Sequence, residues 1–376
     1  MLENIINPCL VTFHVATKNP KEFLLKSGIP LEASVLKALS DYGFRDYGEI
    51  EYSRDGVIFT TDRDLSTSTH IRSALGLHID YILECKYKSR NHVWYFFKFY
   101  KNKEEEYLSH EEEHNLTTLG LFESYLESQG FPFSNLWFCV KDLEIENIFS
   151  LPEVHKGIDV CEGGGEEKSI HEAVSQVTFA SIKAHIESIS YTMDMLKNLI
   201  SGHELMTGKE LTPVEEEIEG DYVETFELEH EVEPGDPRSE LVDLASLTIP
   251  IIITTAELRL IEDNITLEQI EVCEDVKAIS REVPGVCLYN NYPEKYTEFS
   301  KECIKKSLKR DPIDDLDDSF EAWYDKLPER LQFLDTVRVR ALPGRIYVIN
   351  YKQFERTFRE GHEKIVQMAN QIEKME

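Results

Sequence analysis

The segment from His78 to Ser89, HIDYILECKYKS, ends an apolar run with a carboxylate and an ammonium two residues apart. Residues i and i+2 of a strand share one face. Glu84 and Lys86 therefore project together, while Leu83, Cys85 and Tyr87 turn to the other side. Two chemistries fit that spacing. One is a salt bridge at the solvated end of a strand, and the other is half of a metal site with a cation beside it. An exposed ion pair stabilises little, so the pairing does not choose between them, and the elements around it must.

Upstream, the spacing of Leu31, Val35, Leu36 and Leu39 predicts a helix over about 20–42, with Pro30 near a first turn and Asp41-Tyr42-Gly43 as its stop. Segment 48–59 reads as an extended pair turning at Asp55-Gly56. A short strand is expected at 69–75, a tight turn at Gly76–His78, a central strand at 79–87 and an aromatic strand at 92–100. Downstream, 101–115 is a solvated charge run, 116–130 a helix and Leu136–Val140 a buried strand. Gly163-Gly164-Gly165 lies in a flexible connection over 157–168. A long helix is expected over 169–200, with Ser169 as its cap and Glu172 three residues on. Residues 204–240 are strongly acidic and read as a loosely attached loop. The β-branched run 247–255 reads as a buried strand. A second acidic loop at 311–318, strands near 336–350 and an amphipathic helix over about 352–374 complete the chain.

The chain has 376 residues, enough for two domains or one large domain with insertions. With 40 basic and 71 acidic residues, its formal charge is −31. That balance excludes a generally basic nucleic-acid-binding surface, yet it permits a small basic cleft and favours basic protein partners. The seven cysteines include no Cys-x-x-Cys pair. This argues against a disulfide framework or structural zinc and for a reducing, cytoplasmic setting. No signal peptide and no membrane span are expected. The histidines at 110, 114, 155 and 171 lack metal spacing, and the glycine run is no phosphate loop.

The order of helix, strands ending in Glu84-Cys85-Lys86, long helix and β-branched strand resembles the PD-(D/E)XK nuclease superfamily, in particular its Mrr-like type. Glu32 in LEASVLKALSDYGF, the segment around His70-Ile71-Arg72 and Glu84-Cys85-Lys86 carry the likeness, over roughly 30–90 and 169–260. The resemblance implies an α/β fold with a restriction-endonuclease-like core, a central mixed sheet flanked by helices. That core would span 1–265, with an insertion at 91–168 and the acidic loop, and 266–376 would form a C-terminal α/β extension that either widens the sheet or stands as a small module.

By the same resemblance the protein is a metal-dependent nuclease acting in restriction, defence or DNA repair. Mg²⁺ or Mn²⁺ is the implied cofactor, because hard cations take oxygen ligands. Glu84 and the Cys85 backbone carbonyl would bind the ion, Lys86 would be the catalytic ammonium and Glu32 would complete the site. The family carries an acidic residue before Glu-x-Lys. His70 aligns there, as a metal ligand that favours softer ions, and Asp62 or Asp64 takes the place if the alignment slips. Asp80 shares the face of Glu84 but lies about 13 Å away by strand rise.

Arg72, Lys88 and Arg90 flank the motif as phosphate contacts, and Gln176 of the long helix is a polar candidate for the same cleft. The expected partner is nucleic acid, DNA before RNA, with a homodimer as one assembly. The acidic loop would bind a protein partner or mimic nucleic acid over a basic cleft. The competing expectation, from a different class, is a catalytically impaired relative that serves as a binding or scaffold protein; His70 and the charge of −31 point that way.

Overall fold

The computed structural model describes residues 20–54, 57–72, 75–98, 116–117, 147–161, 164–166, 168–207, 242–261, 265–289, 294–307 and 344–373. These form a mixed α/β structure around a 12-stranded sheet. In chain order the strands are β1 (Arg45–Arg54), β2 (Val57–Arg72), β3 (Leu75–Lys86), β4 (Val93–Lys98), β5 (Leu116–Thr117), β6 (Glu153–Cys161), β7 (Gly164–Glu166), β8 (Val242–Thr254), β9 (Glu257–Ile261), β10 (Ser280–Glu282), β11 (Gly285–Tyr289) and β12 (Arg345–Asn350). The helices are α1 (Pro20–Lys26), α2 (Ile29–Leu39), α3 (Lys168–Thr207), α4 (Leu267–Val272), α5 (Glu294–Ser307) and α6 (Tyr351–Glu373).

The sheet runs β1-β2-β3-β8-β12-β11-β6-β4-β9-β10, with β5 on β8 and β7 on β6. The first three strands form an antiparallel meander, and β8 joins β3 in parallel after the crossover through α3. The centre of the sheet is covered on both faces, which is why β8 tolerates the unbroken run Ile251-Ile252-Ile253, each fully buried. Along β3 the two faces separate by parity. Tyr81 bonds His362 of α6 at 2.9 Å and packs on Phe44 and Phe358. Asp80 is paired in register with Thr248, whose hydroxyl faces His185 of α3. Odd positions of β3 thus face α6 and even positions face α3. On the α3 side, Phe179 packs on Tyr52, Tyr296 and Phe299.

Several local expectations give way to tertiary pairing. The first helix breaks in two at Gly28, whose φ of 82° suits glycine, and Pro30 opens the second piece. The short strand expected at 69–75 is the far end of the 16-residue β2. Gly76–His78 is strand within β3 rather than a turn. Leu116-Thr117 pairs with β8, so the expected helix over 116–130 does not begin there. The connection over 157–168 holds most of β6 and its antiparallel partner β7. Ser169 lies inside α3 and donates to Asp159, so it is no cap. Glu172 instead pairs with Lys168 one turn back.

The C-terminal region extends the sheet: β12 lies between β8, to which it is parallel, and β11. Strands β4, β6 and β7, from the segment expected as an insertion, join the same sheet. The charge run at 101–115, the strand at 136–140, the acidic loop beyond Thr207 and the loop at 311–318 lie outside the described residues.

Candidate functional site

The ends of three elements meet at the carboxyl end of β3. Glu84 is buried, 2% exposed, and its carboxylate is ion-paired to Lys86, whose side chain is 26% exposed. The other Glu84 oxygen accepts from the Thr61 hydroxyl of β2 at 2.7 Å. The pair is therefore not a solvated strand-end bridge, because its acid member is inside the protein. The Lys86 carbonyl accepts from the Thr254 hydroxyl at 3.0 Å and the Thr255 amide at 3.3 Å, which pins the motif to the end of β8.

Asp62 comes to the same place through an irregularity in β2. Opposite β1, Thr61 pairs with Ile50 and Asp64 with Gly48, so Asp62 and Arg63 stand against the single residue Glu49. This is a β-bulge, and bulges re-aim side chains. In a regular strand Thr61 and Asp64, three apart, would face opposite ways. Here both serve the α3 side: Thr61 bonds Glu84, and the charge of Asp64 is felt with those of Asp80 and Glu187. Asp62, freed from the alternation, accepts a hydrogen bond from the Cys85 amide. Glu32, in the first turn of α2, is half-buried beside Asp62, Arg63 and Glu49.

The electrostatics follow from crowding acids in a partly buried corner. Burial raises Glu84 to about 7, and the charge of Asp62 adds to the rise against the opposing pull of Lys86 and Thr61. Asp62 is raised by burial, opposed by the Cys85 amide and by Lys86. Burial and the Asp62 charge raise Glu32 as well. The Cys85 thiol is pushed well above its ordinary value, first by burial and then by Asp62, Glu84 and Glu32. It is therefore no thiolate nucleophile.

The structure brings together Glu32, Glu84, Cys85 and Lys86 from the expected set with Asp62, one of the two alternatives to His70, and adds Thr61 and Arg63. It does not bring His70. That residue pairs with Gly76 at the opposite end of the β2–β3 ladder, eight residues from Asp62, or about 26 Å by strand rise. Arg72, opposite Leu75, is at that far end too. Lys88 is committed to Asp159 at 2.8 Å, in a buried network that also holds His92 and Ser169. Although burial raises the Asp159 pKa, the bonds from Lys88, His92 and Ser169 outweigh it and leave the carboxyl below its ordinary value. Arg90 is exposed in the turn after β3. Gln176 is half-buried on α3. Asp64, the other alternative to His70, is raised to about 7 by burial and by Asp80 and lies beside Asp80 rather than Glu84.

The donor set suits a hard cation. Asp62 offers a half-buried carboxylate and Glu84 a buried one that the Asp62 charge raises, a repulsion a bound cation would relieve, and Mg²⁺ commonly takes one or two carboxylates and keeps its waters. No group of three or more His, Cys, Asp or Glu disposed to hold a metal occurs among the described residues, so the remaining ligands would be backbone carbonyl and water.

Thr61 is the residue that sequence reasoning missed most plainly, and its bond predicts a measurable effect. Thr61→Val is nearly isosteric and strips one acceptor interaction from buried Glu84, which should cost about 1–2 kcal/mol of unfolding free energy at pH 8. The loss should shrink at pH 5, where Glu84 is protonated and makes less demand on a donor. Urea unfolding at both pH values checks this; an equal loss at each would mean that the bond to Glu84 is not the cause.

Comparisons of the chain with protein-family models, with curated proteins and with solved structures return no match. Among the described residues, no helix is long and apolar enough to cross a membrane.

Proposed function

We propose that this protein is a metal-dependent nuclease of the PD-(D/E)XK type, in which α2, β1, β2, β3, α3 and β8 form a restriction-endonuclease-like core. The observation that carries the reading is the meeting of Asp62, Glu84 and Lys86 where the start of β2 lies against the end of β3. The order of elements supports it: a helix, an antiparallel meander, a long helix and a strand parallel to the third of the meander. Asp62, not His70, then supplies the acid that precedes Glu-x-Lys. Restriction, defence and repair are the settings in which such an activity would act, with DNA as the first substrate to try.

In this reading Asp62, Glu84 and the Cys85 carbonyl would hold Mg²⁺ or Mn²⁺, which when bound polarises a phosphate and lowers the pKa of a water. Lys86 places an ammonium where negative charge develops and orients the attacking water. Thr61 holds Glu84 in one rotamer, and the Cys85 amide holds Asp62. Glu32, with its raised pKa, stands where it can exchange a proton with a water at the edge of the site.

The test is cleavage of labelled plasmid, linear duplex, single-stranded DNA and RNA with Mg²⁺ or Mn²⁺. At least one substrate should be cut, and EDTA should stop the reaction. Intact substrates throughout would remove the nuclease and favour the scaffold, for which the acidic balance is the argument.

Cation binding has its own signature. The folded pKa values of Asp62 and Glu84 are raised, so the folded state holds protons that the unfolded chain releases. Their contribution is neutral below the ordinary carboxylate range, and stability is lost as pH rises through about 7. Mn²⁺ binds the deprotonated pair and should restore it. Melting should therefore move up with Mn²⁺ by a few degrees at pH 8 and scarcely at pH 5. An equal shift at both values would place the ion elsewhere.

A further inference from the structure

We infer that Arg63 binds a phosphate of the substrate, as the fixed cation of the site; this deepens the nuclease reading and rests on it. Arg63 is half-buried in the β2 bulge, next in the chain to Asp62. Its Nε is buried and has no hydrogen-bond partner. Its charge is felt by Glu32 and Asp62, yet among the described residues it makes no ion pair. A buried guanidinium N–H without an acceptor is an unfavourable state, and the planar fork of arginine matches two phosphate oxygens.

The other cations narrow the choice. Lys86 is paired with Glu84, Lys88 with Asp159, and Arg72 stands at the remote end of the ladder. A chain of formal charge −31 repels a polyanion in general. Contact with one must therefore come from a few placed cations, and Arg63 is the one whose buried donor is unused beside the acids that would hold the metal. The bulge matters here as well. It puts Arg63 and Asp62 side by side against Glu49, so a phosphate drawn to Arg63 arrives next to the carboxylate that would share its metal.

The test uses the full chain and a labelled DNA duplex, with binding followed by fluorescence anisotropy in EDTA and cleavage followed with Mn²⁺. Arg63→Gln should weaken binding by about tenfold and lower the slope of log Kd against log salt by about 0.9, the share of one phosphate contact. Arg63→Lys should keep the slope but lose about tenfold in cleavage, because a point charge cannot make the fork. Arg281→Gln, exposed on β10 at the other end of the sheet, removes the same charge from a remote surface and should leave the slope alone. If the wild type cleaves while Arg63→Gln keeps its affinity and slope, the nuclease stands and the role of Arg63 falls. If Arg281→Gln lowers the slope as much, the effect is net charge and the role again falls. If Arg63→Gln does not fold, Arg63→Lys decides: unchanged cleavage overturns the proposal. A wild type that neither binds nor cuts any substrate overturns both.

Discussion

Lys86→Ala is expected to abolish cleavage, with kcat falling at least ~100-fold, the typical loss on removing one preorganised stabiliser of transition-state charge. KM should change little, because a group that acts on developing charge contributes less to ground-state binding. The same variant has a folding consequence. Glu84 is 2% exposed and keeps only the Thr61 bond when Lys86 is gone. Its carboxyl should then rise further and take up a proton near neutral pH. Protonation caps the damage, so the loss should be roughly 1–3 kcal/mol at pH 8, below that of a fully buried pair broken with both charges fixed. Lys86→Met, which fills the same space, separates the two effects: it should be as inactive as alanine yet better folded. Full activity in either variant would move the catalytic centre away from β3.

Asp62→Asn set beside His70→Asp gives the second large effect, because the two substitutions distinguish the acid of the site. Asparagine at 62 can still accept from the Cys85 amide, so the bulge should persist. Cleavage should nonetheless fall by about 100-fold or more, and the Mn²⁺ shift in melting should vanish with the lost carboxylate. Without metal, Asp62→Asn should be the more stable protein at pH 8, since buried Glu84 no longer faces a second negative charge. A variant that is more stable alone and insensitive to cation is the mark of a ligand rather than of a structural acid. His70→Asp should change neither rate nor cation response, because it lies at the other end of the β2–β3 ladder. A gain of activity in His70→Asp, or wild-type cleavage by Asp62→Asn, would restore the first alignment and remove the site described here.

Much of this was legible in the chain. The i, i+2 spacing placed Glu84 and Lys86 on one face, and the pair is there. The apolar run before them marked β3 as central, and the Ile-rich run marked β8 as covered on both faces; both follow from burial, which periodicity records directly. The order of helix, strands, long helix and strand is also in the sequence, as is the helix at the C-terminus.

What the sequence did not determine is which acid stands beside Glu84. Counting residues back from Glu-x-Lys leads to His70, because a short strand and a tight turn at Gly76–His78 look locally sufficient. Gly76–His78 is instead strand within β3, β2 runs for 16 residues, and its start rather than its end lies against Glu84. Register in an antiparallel pair is set by contacts across the sheet, and a shift of a few residues carries a different side chain to the same place. The bulge at Asp62-Arg63 is likewise a relation between two strands, with no local residue signature. The fate of the cations is tertiary too: Lys88 looks free in the chain and is held by Asp159, which is 71 positions later. The chemistry-bearing residue types are therefore written in the sequence, while their partners are chosen by pairing and burial between segments far apart in it.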